Sequence, residues 1–248
     1  MSELHQLFGL VRSAQRVVVF TGAGISTDSG IPDFRSPGGI WTKMQPIPFQ
    51  NFVSDPHARR LTWQRRFEME DTWKNVQPND GHKAVAALVT RGKAAHVITQ
   101  NIDGLHQLSG VPEQQVIELH GTTRRALCLD CGTAAELSDI RAHFEAHGRA
   151  PDCAHCGGLI KTATISFAQP MPELEMARAD AATRACDLML VLGSSLAVYP
   201  AAGFPLLAKR SGARLVIVNR DETPQDNIAD LALRAQIGPT MRAVIDAL

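Results

Sequence analysis

Two cysteine knuckles, Cys128-Leu-Asp-Cys131 and Cys153-Ala-His-Cys156, have the spacing that speaks most directly of chemistry. They are separated by 21 residues and each is followed by glycine, a pattern able to set four thiolates tetrahedrally around Zn²⁺. Buried or redox thiols are the competing reading. Four protein ligands leave no open coordination position, so this zinc is expected to hold a small lobe together and to do no catalysis. His155 lies inside a knuckle and is the lesser alternative ligand, while Cys186, at the start of an apolar run, is expected in the core.

Three further stretches combine polar residues with strand ends. TGAGISTDSGIPDFR, residues 21 to 35, begins as a dinucleotide-binding turn, but Thr27 stands where a third glycine of G-x-G-x-x-G would be, and Asp33-Phe34-Arg35 follows a Gly-Ile-Pro corner. Gly22 and Gly24 would let backbone approach a phosphate at the start of a helical turn; a tight structural turn is the alternative. Leu192-Gly193-Ser194-Ser195 and a strand ending in Asn219 offer small residues, hydroxyls and an amide suited to phosphate and ribose. Together, three such ends favour NAD-like binding. TQNIDGLH, residues 99 to 106, places Asn101 and Asp103 where a carboxamide would satisfy their donors and acceptors, although an Asx-type cap for the next helix fits Asp103 equally well. Finally, ELHG puts His120 at a strand end before Gly121. A lone histidine is usually structural, yet an imidazole beside a ribose has the right pKa range to move a hydroxyl proton.

The elements that must position these residues follow from the apolar pattern. Short β-branched runs at residues 16–22, 95–101, 115–121, 188–195 and 214–219 alternate with helical patterns such as HKAVAALVTRG, ELEMARADAATRA and PTMRAVIDAL. Such alternation implies a doubly wound, Rossmann-like parallel sheet wrapped by helices. Residues 37–77, with a helix expected around HARRLTWQRRFEMEDTW, and the cysteine-rich residues 125–157 break the rhythm. They read as a helical and a zinc-binding insertion forming a small lobe, leaving 1–36, 78–124 and 158–248 for the nucleotide domain. The 248 residues suit one large domain with insertions better than two equal domains. With 25 Lys and Arg against 25 Asp and Glu, no global field favours nucleic acid or an anionic membrane. No apolar run approaches the ~18 residues of a spanning helix, and a cytoplasmic, monomeric protein is expected.

Taken in order, GAGIS with GIPDFR, TQNID, the His-Gly pair, the paired knuckles, Gly-Ser-Ser and the strand ending at Asn219 make the chain resemble the sirtuin family of NAD-dependent protein-lysine deacylases over nearly its whole length. That resemblance implies NAD as co-substrate, one structural zinc, and an acylated lysine in a protein or peptide as partner. It implies His120 as general base, with Asn101 beside it in the catalytic set. NAD would be held by Gly22, Ala23, Gly24, Ser26, Asp33, Phe34 and Arg35, by Gln100, Asn101, Ile102 and Asp103, and by Gly193, Ser194, Ser195, Asn219 and Ile237. In this family the acyl oxygen displaces nicotinamide from the ribose, the base then lets a ribose hydroxyl attack the resulting imidate, and water completes the transfer. Phe34 would exclude water and block nicotinamide's return.

Departures from the pattern bear on substrate. Where many sirtuins read Phe-Gly-Glu, this chain has Phe167-Ala168-Gln169, and the alanine is expected to tighten backbone approach. A peptide would pair by backbone there and along Ala197-Val198-Tyr199, with Ile165, Phe167 and Val198 lining the acyl tunnel. The branch preferring acidic acyl groups carries Tyr-x-x-Arg; here Trp63-Gln-Arg-Arg66 supplies the guanidinium without the phenol. Trp63 and Arg66 are therefore candidate acyl contacts, with a solvated helix face as the competing role for Arg65 and Arg66. Rival functions are mono-ADP-ribosyl transfer from the same site, a zinc ribbon binding nucleic acid through Arg124 and Arg125, and hydride transfer, which the missing glycine and Phe34-Arg35 disfavour.

Overall fold

The computed structural model describes residues 2–34 and 38–248. Its described strands are β1 (Val17–Thr21), β2 (Ala94–Thr99), β3 (Val116–Glu118), β4 (Gly121–Cys128), β5 (Ala134–Ala135), β6 (Ile160–Thr164), β7 (Leu188–Leu192), β8 (Arg214–Asn219) and β9 (Leu231–Arg234). Six of them form a sheet in the order β3-β2-β1-β7-β8-β9, with every neighbouring pair parallel. The order reverses at β1, the switch point at which doubly wound sheets bind ligands.

Strand β1 shows why the runs fold this way. Val17 and Val19 join one core with Leu7, Val85, Leu190 and Val216. Val18 and Phe20 join a second core on the other face with Ile98, Met189 and Ile217. A strand covered on both sides has no polar face to alternate, so it reads as a continuous apolar run. Helices Glu3–Ser13, Asp80–Thr90 and Ile237–Asp246 supply the first face, and Glu173–Ala185 and Gly203–Arg210 the second. No helix among the described residues is long and apolar enough to cross a membrane.

A second, antiparallel sheet has the order β5-β4-β6 and a core of its own. Phe52, Trp63, Phe67, Ala126, Cys128, Ile140, Cys153 and Ile160 are buried together there. Helix Pro56–Trp73 contributes Trp63 and Phe67, whose rings stack at 5.6 Å. The sheet reaches beyond the expected insertion at 125–157, because β4 begins at Gly121 and β6 runs to Thr164. The β4–β6 ladder pairs Gly121 with Thr164 and next pairs Ala126 with Thr162, so extra β4 residues bulge between these points. At this break the buried Lys161 ammonium donates to the Thr162 and Thr164 carbonyls at 3.3 and 2.5 Å.

Candidate active site

All six parallel strands point their carboxyl ends into one cleft of about 700 Å³. Gly22 and Ala23 follow β1, Gln100 to Ile102 follow β2, His120 lies beyond β3, Gly193 to Ser195 follow β7, Asn219 closes β8, and Ile237 lies beyond β9. Gly24, Asp33 and Phe34 also line it, as do Ile165, Phe167, Ala168, Val198 and Tyr199 from its outer rim. Arg35 lies outside the described residues.

The glycines turn out to serve chain against chain. Gly24 N–H donates to the Gly193 carbonyl at 2.8 Å, and a Cβ on Gly193, at φ +65°, would sit 2.4 Å from Ile25 N. A Cβ on Gly22 would meet Gly193 O at 2.8 Å. The turn after β1 is thus packed backbone to backbone on the turn after β7. Two short 3-10 segments, Ala23–Ile25 and Thr27–Ser29, stand where a hydride-type fold would begin a long helix, which accounts for Thr27 in place of glycine.

His120 is held from one side by its own chemistry. Its Nδ1 lies 2.9 Å from the Gln100 carbonyl, and a carbonyl only accepts, so Nδ1 carries a proton and the neutral ring keeps its lone pair on Nε2. The His120 carbonyl accepts Ile165 N–H at 2.8 Å, tying the residue's main chain to the cleft rim. The next residue must be glycine: Gly121 has φ +69°, and a Cβ there would lie 1.9 Å from Ala163 O. Gln100 Nε2 donates to Ser194 Oγ at 2.7 Å, bridging the β2 and β7 loops.

Asn101 is buried, and its amide donates to Gly22 O at 3.1 Å and Ser26 Oγ at 3.2 Å. Both amide hydrogens being committed, its carbonyl oxygen is what it can offer a ligand. Ser26 and Asp103 stand behind the wall rather than on it. Ser26 Oγ donates to Asp103 Oδ2 at 2.7 Å, and Asp103 Oδ1 accepts Leu105 N–H at 2.9 Å, so the capping role is present. Burial raises the Asp103 pKa, opposed by these hydrogen bonds.

Sequence reasoning missed the polar layer beneath. His82 Nε2 lies 3.4 Å from Ser26 Oγ, and His106 Nε2 lies 2.9 Å from Thr21 Oγ1. The two rings are 5.1 Å apart. Asn79 supplies the signal that could have found them: it caps helix Asp80–Thr90 by accepting Gly81 N–H at 2.9 Å, and donates to Ile25 O at 2.8 Å. Burial pushes His82 down to about 4, and burial with repulsion from His82 pushes His106 down to about 3. An unfolded histidine protonates near pH ~6.5, so below that value the unfolded chain binds more protons than the folded one. Stability is therefore expected to fall as pH drops from about 6.5 towards 4, by roughly 3 kcal/mol from His82 alone. Urea midpoints at pH 7 and 4.5 should show this drop, reduced in His82→Gln; a flat profile would mean that the rings titrate normally.

The rim departs from expectation in two places. Ala168 adopts φ +62°, a left-handed conformation that favours glycine and costs an alanine about 1–2 kcal/mol, an effect on backbone conformation that the residue pattern did not announce. Gln169 stabilises this turn, its Oε1 accepting Ser166 N–H at 3.0 Å. The Phe167 carbonyl accepts Phe49 N–H at 2.9 Å, so part of this edge is already committed within the chain. Trp41 bridges Phe34 and Phe167, at 5.4 and 5.2 Å between ring centroids. Trp63 and Arg66 do not line the cleft. Nor is Arg66 on a solvated face: it is 9% exposed, donating to Glu70 at 3.0 Å and to Thr123 O at 2.9 Å.

The four knuckle thiols converge, with all sulfurs within 4.8 Å of one another. Cys128–Cys156 and Cys131–Cys153 separations are 3.5 and 3.7 Å. Zn–S bonds of ~2.3 Å in a tetrahedron need about 3.8 Å between sulfurs. The residues fit a closed structural zinc, and none of the four lines the cleft.

The Sir2 family model matches residues 22–200. The chain belongs to the Sir2 family. It is 55% identical over 240 residues to NAD-dependent protein deacetylase 1 of Bradyrhizobium diazoefficiens, covering 97% of this chain and 94% of that relative. It is 53% identical to the NAD-dependent protein deacetylase of Rhodopseudomonas palustris, over 97% and 95% of the two chains. Among solved sirtuins, a Sir2 with p53 peptide and NAD⁺ superposes with TM-score 0.85 at 36% identity, covering 99% of this chain and 98% of that one. Sir2Tm bound to a propionylated peptide gives 0.86 at the same identity and coverage.

Proposed function

We propose that the protein is an NAD-dependent protein-lysine deacylase, transferring the acyl group from lysine to ADP-ribose with release of nicotinamide. The observation that carries this is the His120 ring, protonated at Nδ1 by its bond to Gln100 O and set on the wall of a dinucleotide-sized cleft at the sheet's switch point. When bound, NAD supplies a ribose carbon that exchanges its nicotinamide for the acyl oxygen. His120 Nε2 then takes the proton of a ribose hydroxyl. The Asn101 carbonyl oxygen and the Ile102 main chain orient the ligand beside it, and Asp103 with Ser26 keep that loop fixed. Phe34, Trp41 and Phe167 form an apolar flank that limits water. Ile165, Phe167, Ala168, Val198 and Tyr199 receive the peptide, consistent with a relative that binds a propionylated peptide. Balanced charge argues against nucleic acid as partner, clustered thiols suit a reducing cytoplasm, and a cleft completed within one chain works as a monomer.

With labelled NAD and an acetyl-lysine peptide, nicotinamide, free lysine peptide and acyl-ADP-ribose are expected in equal amounts. Nicotinamide release that ignores the peptide would argue against deacylation, and label fixed covalently on protein would favour ADP-ribosyl transfer.

A further inference from the structure

The helical insertion contains one buried arginine, and its partners lead away from the acyl side. Arg66 projects from helix Pro56–Trp73 and is 9% exposed, a burial that arginine rarely adopts unless paired. Its bond to Glu70 lies on its own helix and would serve an exposed side chain equally well. The bond to Thr123 O spans 57 positions of sequence and accounts for the burial.

Thr123 sits in the β4 bulge, between the Gly121 and Ala126 pairings to β6. Its carbonyl is thereby out of ladder register, and Arg66 supplies the donor, as Lys161 does for β6 at the same break. On its other side Thr123 gives both N–H, at 3.0 Å, and Oγ1, at 2.8 Å, to the Ile102 carbonyl. Ile102 lies in the cleft wall next to Asn101. The Arg66 guanidinium, the single residue Thr123 and the Ile102 carbonyl thus form a continuous series of hydrogen bonds. Arg66 lines neither this cleft nor the neighbouring groove over β4 and β6, where a guanidinium meant for an acyl carboxylate would have to emerge.

We propose that Arg66 is a positioning residue for the cleft wall at Asn101 and Ile102, the stretch whose side chains suit nicotinamide's carboxamide, acting through Thr123 on Ile102, and not an acyl-binding residue. The inference rests on the reading of the cleft given above. Its test uses the full zinc-loaded chain and the variants Arg66→Lys, Arg66→Met and Thr123→Val. Thr123→Val deletes one bond to Ile102 while keeping shape, so it stays informative if Arg66→Met folds poorly. The readouts are half-inhibition by nicotinamide, KM for NAD, and kcat and KM for acetyl and succinyl peptides.

Half-inhibition by nicotinamide should rise about 3- to 10-fold in Arg66→Met, alike for both acyl groups. Thr123→Val should move it in the same direction with peptide KM unchanged, and Arg66→Lys should restore part of it. Unchanged nicotinamide inhibition in all variants would overturn the proposal. So would a rise in KM confined to succinyl peptide in the Arg66 variants. A wild type that releases no nicotinamide with peptide would instead sink the reading of the cleft itself, an outcome distinct from variants that match an active parent.

Discussion

His120→Ala is expected to lower the rate of acyl-ADP-ribose formation by about 10²- to 10⁴-fold, the range over which a positioned base contributes. The effect should fall on kcat, because the imidazole is assigned to a proton transfer after the cofactor and peptide are bound. Exchange of labelled nicotinamide back into NAD precedes that transfer and should fall less. This split separates loss of the base from loss of the site. The ring also donates from Nδ1 to Gln100 O, and its replacement frees a carbonyl in the loop that carries Asn101. Some rise in KM for NAD should accompany the kcat effect for that reason. If product formation stayed within about threefold of the parent, far inside the range a general base spans, the base would have to be sought elsewhere on the cleft wall.

Removal of the metal is the second large effect. Among the described residues the small lobe's buried core has eight, two of which are the candidate ligands Cys128 and Cys153, and its shortest strand is the two residues Ala134–Ala135. So small a core does not fold by apolar burial alone, while structural Zn²⁺ contributes an apparent ~10–16 kcal/mol in zinc-finger peptides. Chelation under mild denaturant, or Cys128→Ser, should therefore release one zinc per chain and unfold β4–β6. Hydrogen exchange would show residues 121–164 losing protection while the parallel sheet keeps its own. Activity should vanish in step, because β6 leads directly into Ile165 and the cleft rim. Full protection of the lobe after the metal has gone would refute the assignment, as would a protein purified with no bound zinc.

What could be read beforehand was what a local rule dictates. The five β-branched runs became β1, β2, β3, β7 and β8 because double burial demands continuous apolar side chains. β9 escaped notice: Leu-Ala-Leu-Arg is short and alternates, as an edge strand with one covered face does. The small sheet was hidden because β4 carries Thr122, Thr123, Arg124 and Arg125, and its pairing depends on a bulge rather than on pattern. In the site, residues at strand ends were legible because topology alone brings those ends together. Arg66 was not, since arginine is ordinarily solvated and nothing local announces a carbonyl waiting at Thr123. The His82 and His106 layer was likewise invisible, each ring owing its environment to loops far along the chain.

The contact between the Gly22–Gly24 turn and Gly193 has a thermodynamic consequence. Two segments interlocked main chain on main chain have little freedom left to surrender, so under the function proposed above a dinucleotide arriving there would meet a mould already set. Whatever ordering the encounter requires would then be borne by the opposite bank, with its aromatic rings and its strained alanine.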